Sequence, residues 1–167
     1  MIIRIKQEDL KNDNLSWLCI EPMLLSIRGK NLNEKSAMYN QLNEGQRALY
    51  LFYAFYNHVH TIAEFYWFTT YFISELKAWN GLKSGVLLFK DYELLNILEQ
   101  SERVIADKNQ IAEGMWKEAS PTDLETDIEL YESIKPIFNV YQLSVQEFIQ
   151  RMNVYIRSNK EEFLEIE

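Results

Sequence analysis

His58 and His60 are the two histidines of the chain and Cys19 is its single cysteine, so imidazole or thiolate chemistry must be built from these three. Two positions apart on a helix, the two imidazoles diverge by about 200° and cannot ligate one metal ion. His60 and Glu64 are four apart and share a face, which is half of a helical metal site. A closed tetrahedron needs two more ligands, and no further candidate stands in register. Glu-x-x-His and His-Glu-x-x-His are both absent, which removes the di-iron bundle and zinc protease patterns. Cys19 stands between Leu18 and Ile20 with no His or Arg close in sequence, the setting of a small buried hydrophobe. Gly81-Leu-Lys-Ser-Gly85 lacks both the spacing of a phosphate loop and a preceding strand, and reads as a turn between helices. No catalytic residue, metal site or cofactor is assigned from these groups.

A second set of polar groups lies within an aromatic band. Between Gln46 and Ala78 stand Tyr50, Phe52, Tyr53, Phe55, Tyr56, Phe65, Tyr66, Trp67, Phe68, Tyr71 and Phe72, eleven of the chain's 23 aromatic residues. At helical period, Gln46, Tyr50, Tyr53, Asn57, His60, Thr61, Glu64, Tyr71 and Glu75 fall in one sector about 100° wide, interrupted by Phe68. Leu49, Phe52, Phe55, Val59, Ile62 and Ala63 lie mainly outside it. Large aromatics are ordinary core residues, but tyrosine hydroxyls need partners. Tyr50, Tyr53, Asn57, His60 and Glu64 are therefore the candidate ligand-facing residues.

The elements that must carry these groups read as helices. Leu15 to Arg28 has helical character, interrupted or restarted at Pro22, and Gly29 is a natural stop. Asn33 is read as the cap of a short helix through Gln41. Asn43 with Gln46 forms a capping box that opens the aromatic segment. That segment, if continuous, spans about 46 Å, longer than a domain of this size is wide, so a break is expected near Asn57 to Thr61. Asn80-Gly81 reads as a turn before a short helix over Leu82 to Phe89. Leu94, Ile97, Leu98, Ser101 and Ile105 form a clear helical stripe after Asp91, and residues 107 to 120 read as a loop. Ser120-Pro121 opens a helix with Leu124, Ile128 and Tyr131 on its inner face, ended or kinked at Pro136. Ser144 with Glu147 reads as a further capping box, and Val145, Phe148, Ile149, Met152, Tyr155 and Ile156 give the cleanest amphipathic stripe. The expectation is an all-α fold: one helical-bundle domain over residues 1–167, of about six or seven helices around the aromatic segment.

The run from Leu42 to Tyr56, LNEGQRALYLFYAFY, followed by Val59 and the EFYWF of Glu64 to Phe68, resembles the central helix pair of a group of small all-helical bacterial proteins of unknown function. That group includes an acidic protein that mimics double-stranded DNA. Where the group has an Asn- and Gly-rich turn, this chain has His60-Thr-Ile-Ala63, and the resemblance implies the fold class alone.

Composition narrows the function classes. At 47% hydrophobic and 25% charged the 167 residues can bury a core, and one cysteine with no partner suits a reducing, cytoplasmic setting. The uncharged run Ala48 to Ala63 falls short of the roughly 20 residues of a membrane-spanning helix. Residues 1–90 balance at +2 and residues 91–167 at −10, so the basic footprint of a nucleic-acid binder is absent. Asp123, Glu125, Asp127, Glu129 and Glu132 are the candidate acidic interaction surface, with Glu161, Glu162, Glu165 and Glu167 as a charged tail. The leading expectation is a non-enzymatic interaction protein whose acidic C-terminal half meets a basic protein. The alternative is a small-molecule-binding or weakly enzymatic bundle built on the tyrosine sector.

Overall fold

The structure, a computed structural model, describes residues 2–167. Among them are eight helices: α1 (Leu15–Ser26), α2 (Leu32–Asn40), α3 (Glu44–Tyr56), α4 (Ile62–Ser74), α5 (Trp79–Leu88), α6 (Tyr92–Asn109), α7 (Asp123–Thr126) and α8 (Ile128–Ser158). Four short strands accompany them: β1 (Ile3–Ile5), β2 (Gln110–Ala112), β3 (Met115–Trp116) and β4 (Leu164–Ile166). β1 pairs in parallel with β4, which brings the two ends of the chain together, and β2 pairs with β3 in a hairpin. With two short 3-10 helices, Gln7–Lys11 and Lys160–Glu162, helix accounts for 71% of the chain, about twice the globular average, as the helical stripes required.

The aromatic segment breaks where its length demanded. Asn43 opens α3 by accepting the Gln46 amide at 2.8 Å, and the Gln46 side chain returns to the Asn43 amide. The helix stops at Tyr56, and Thr61 restarts the chain as α4 through a second capping box with Glu64. Phe55, at the C-terminal end of α3, meets Phe65, Phe68 and Phe72 of α4, Trp79 of α5 and Tyr141 of α8, with ring centroids 5.4–6.2 Å apart. The core is thus one aromatic-rich cluster shared by most of the helices.

Several local expectations are corrected. α1 runs through Pro22, and α8 runs through Pro136 for 31 residues in all. Both prolines are exposed, so the carbonyl that each leaves without an amide donor lies on the watered side of its helix. Ser144 does not cap a helix; it is buried within α8 with its hydroxyl directed at Glu93. The cap of α2 is Asn31 rather than Asn33, with Glu34 completing the box.

Asn80-Gly81 is not a turn but part of α5. Gly81 and Gly85, one turn apart, face α3: a Cβ on Gly85 would stand 2.9 Å from the Ala48 Cβ, and one on Gly81 would stand 2.7 Å from the tip of Leu51. These glycines let two helices approach closely, which offsets their poor helix propensity.

The segment read as a loop holds the last turn of α6 and the β2–β3 hairpin. Asp127, not Ser120, caps the last long helix by accepting the Leu130 amide at 2.9 Å. Ile128 therefore begins α8 on its outer face, exposed rather than inward. At the other end of the stripe, Phe148 and Met152 are wholly buried, as their spacing required.

Candidate functional site

The five candidate ligand-facing residues do not share a surface, because the break at residues 57–61 divides them. Tyr50 packs inside against Tyr39, ring centroids 5.6 Å apart. Tyr53 is buried with its hydroxyl 2.8 Å from Ser16 Oγ, and burial pushes its pKa up to about 12. Asn57 ends α3, and its carbonyl lies 3.0 Å from Nε2 of His60. Glu64 closes the α4 cap by accepting the amides of His60 and Thr61 at 3.0 and 2.9 Å. Its slight burial alone raises its pKa, but those hydrogen bonds outweigh burial and hold it below the usual carboxylate range. His60 and Glu64 are thus joined by a helix cap.

His58 stacks on Phe68 at 4.5 Å, and its Nδ1 lies 2.9 Å from the Ala54 carbonyl. No group of three or more His, Cys, Asp or Glu residues suited to a metal ion occurs among the described residues.

Tyr53 and Asn57 do meet in a groove of about 380 Å³ between α1, the end of α3 and α8. Asp13, Asn14, Trp17, Tyr56, Gln146, Ile149 and Gln150 complete its walls. Beneath it the Ser16 amide donates to Asn153 Oδ1 at 2.8 Å, and Trp17 meets Tyr53 edge-on at 5.1 Å. The walls offer amides, aromatic edges and one carboxylate, but no His, Cys, Ser, Lys or Arg side chain. Such a groove can hydrogen-bond a polar molecule. It holds no nucleophile-and-base pair and no cation for an anionic substrate.

The acidic candidates lie together, at the junction of α6, α7 and α8, yet three of the five have work within the fold. Asp123 accepts the Tyr66 hydroxyl at 3.0 Å and the Ser120 amide at 3.1 Å. The buried Tyr66 hydroxyl in turn accepts from Asn109 Nδ2 at 2.8 Å, which ties the start of α7 to α4 and the end of α6. Asp127 caps α8, and Lys108 lies 3.8 Å from its carboxylate and 3.3 Å from that of Glu129. Glu125 and Glu132 are exposed, as are Asp107, Glu113 and Glu118 nearby in the chain. Among the described residues none of these five carboxylates has an ion-pair partner.

Residues 107–132 hold eight Asp and Glu against two Lys, a balance of −6 within a chain of −8. Three large apolar side chains stand exposed among them, and Ile128 is the one whose spacing places it inward. Ile111 and Met115 on the hairpin are 70% and 60% exposed, and Ile128 is 68% exposed. Ile111 and Met115 sit on a hairpin with no helical period, and the period that places Ile128 inward assumes a helix opening at Ser120, whereas the helix opens at Asp127.

Compared with protein-family models, curated proteins and solved structures, the chain matches none of them.

Proposed function

We propose that this protein is a non-enzymatic interaction module whose acidic surface, residues 107–132, docks a basic protein. The observation that carries the reading is the concentration of uncompensated charge: five exposed carboxylates without an ion-pair partner among the described residues, where Lys108 is already occupied by Asp127 and Glu129. Such a field raises the local concentration of a cationic partner and repels nucleic acid and anionic lipid. Full DNA mimicry asks for more. Neighbouring glutamates on a helix, three or four residues apart, place one charge per roughly 5 Å, whereas duplex DNA carries one per ~1.7 Å.

The test is affinity capture with wild type and with a Glu125→Lys, Glu129→Lys, Glu132→Lys variant, at about 50 mM and about 500 mM salt, which spans strong to weak screening. The captured proteins should be basic, and should be lost both at high salt and with the variant. Partners that persist at high salt, or that bind the variant equally well, remove the electrostatic reading.

A further inference from the structure

Large apolar side chains exposed by 60% or more number six among the described residues: Leu32, Tyr92, Ile111, Met115, Ile128 and Leu143. Three of the six fall within the 26 residues from 107 to 132 that carry most of the chain's net charge. Single exposed hydrophobes need no explanation, but several at one place mark a surface that is covered in use.

These three do belong to one end of the molecule. The hairpin leaves α6 at Asn109, and its base is pinned there by the Lys117 amide donating to the Asn109 carbonyl at 2.7 Å. One residue earlier, Lys108 reaches Asp127 and Glu129, the two residues that flank Ile128. The hairpin that bears Ile111 and Met115 and the start of α8 that bears Ile128 thus leave from the same end of the molecule, in the stretch that also holds Glu113, Glu118, Glu125 and Glu132.

We infer that Ile111, Met115 and Ile128 are the apolar anchors of a docking face for a basic amphipathic helix, which presents its apolar side to them and its Lys and Arg to the surrounding carboxylates. The inference rests on the acidic docking reading above and adds to it the shape of the partner. Charge complementarity selects the occupant. An acidic rim repels an anionic lipid surface, and a second copy of this chain would bring the same −6 segment against itself. A purely polar basic tail would leave the anchors in water. An amphipathic helix satisfies both features at once, since its residues at i, i+3, i+4 and i+7 fill an apolar face while charge lines its flanks.

The probe is a 16-residue helix-forming peptide of leucine and lysine with every leucine on one face. A second peptide has the same composition scrambled so that no apolar face exists. Fluorescence anisotropy reads both against wild type, an Ile111→Ser, Met115→Ser, Ile128→Ser variant, a Glu125→Lys, Glu132→Lys variant, and Leu143→Ser. Leu143 is the most exposed large apolar residue among the described residues and lies about 22 Å along α8 from Ile128, so it controls for general stickiness. All the substituted side chains are exposed, and circular dichroism confirms that each variant is folded.

Wild type should bind the amphipathic peptide roughly tenfold or more tightly than the scrambled one. The triple serine variant should bring the amphipathic peptide down to the level of the scrambled one and leave the scrambled one unchanged, while Leu143→Ser matches wild type. Equal binding of both peptides to wild type, no loss in the triple variant, or an equal loss in Leu143→Ser overturns the inference and leaves the acidic docking reading intact. Binding indifferent to salt and to the Glu125→Lys, Glu132→Lys variant defeats that underlying reading instead.

Discussion

Gly81 and Gly85 allow helix propensity and tertiary packing to be set against each other in one helix. Replacing either by alanine removes the entropy penalty of a helical glycine, a gain of up to about 1 kcal/mol, and a smaller one for Gly81 near the start of α5. The obstacles differ. At Gly81 the new Cβ would stand 2.7 Å from Leu51 Cδ1, the free end of a side chain that can change rotamer. At Gly85 it would meet the Ala48 Cβ at 2.9 Å and the Ala48 Cα at 3.0 Å, which are fixed to the α3 backbone. Relief there requires the two helices to separate, and overpacking of that kind costs about 1 to 3 kcal/mol. Gly81→Ala should therefore lie close to wild type, and Gly85→Ala should be less stable than Gly81→Ala by about 1 kcal/mol or more. Urea denaturation of the two variants side by side measures this difference. Both share the gain in propensity and the change in the unfolded chain, so those terms largely cancel. A Gly85→Ala protein more stable than wild type by about 1 kcal/mol, as propensity alone requires, would refute close packing of α3 on α5.

Phe148 is wholly buried, with ring centroids 4.9 Å from Phe52 and 5.8 Å from Phe89, so Phe148→Ala should cost about 3 to 5 kcal/mol; a loss below ~1 kcal/mol in the same assay would mean that α8 is not docked on α3. Stability should also fall in alkali. Burial raises Cys19 from 9.0 to about 12 and Tyr53 and Tyr66 from 10.0 to about 12, and it raises Tyr141 as well. The unfolded chain releases these protons first, so their contribution is fully present below about pH 9 and is lost as pH rises through 12. A urea midpoint that stays constant from about pH 8.5 to pH 11 would show that these groups are not buried together.

The features that short-range physics controls were readable in the chain itself. The Asn43–Gln46 box, the stop at Gly29, the Asp91-to-Ile105 stripe and the inward set from Val145 to Ile156 each depend on residues within one or two turns. The break between α3 and α4 was readable too, since it follows from helix length against domain size, and Thr61 with Glu64 supplied a local cap. The acidic excess after residue 90 is a property of composition alone.

What only the tertiary structure decided is which way groups face. Tyr50 and Tyr53 joined Asn57, His60 and Glu64 in a continuous helical projection, but the break turned the first two into the core and the last two into a helix cap. Pro22, Pro136 and Gly81 read as punctuation because each weakens an isolated helix. Exposure of the proline faces and the approach of α3 to α5 outweigh that local cost. Ile111, Met115 and Ile128 carry no pattern that separates them from buried residues, because their exposure follows from where α6 ends and α8 begins. Local hydrogen bonds and periodicity are written in neighbouring residues. Burial is a relation between distant segments, and it exists only once they have packed.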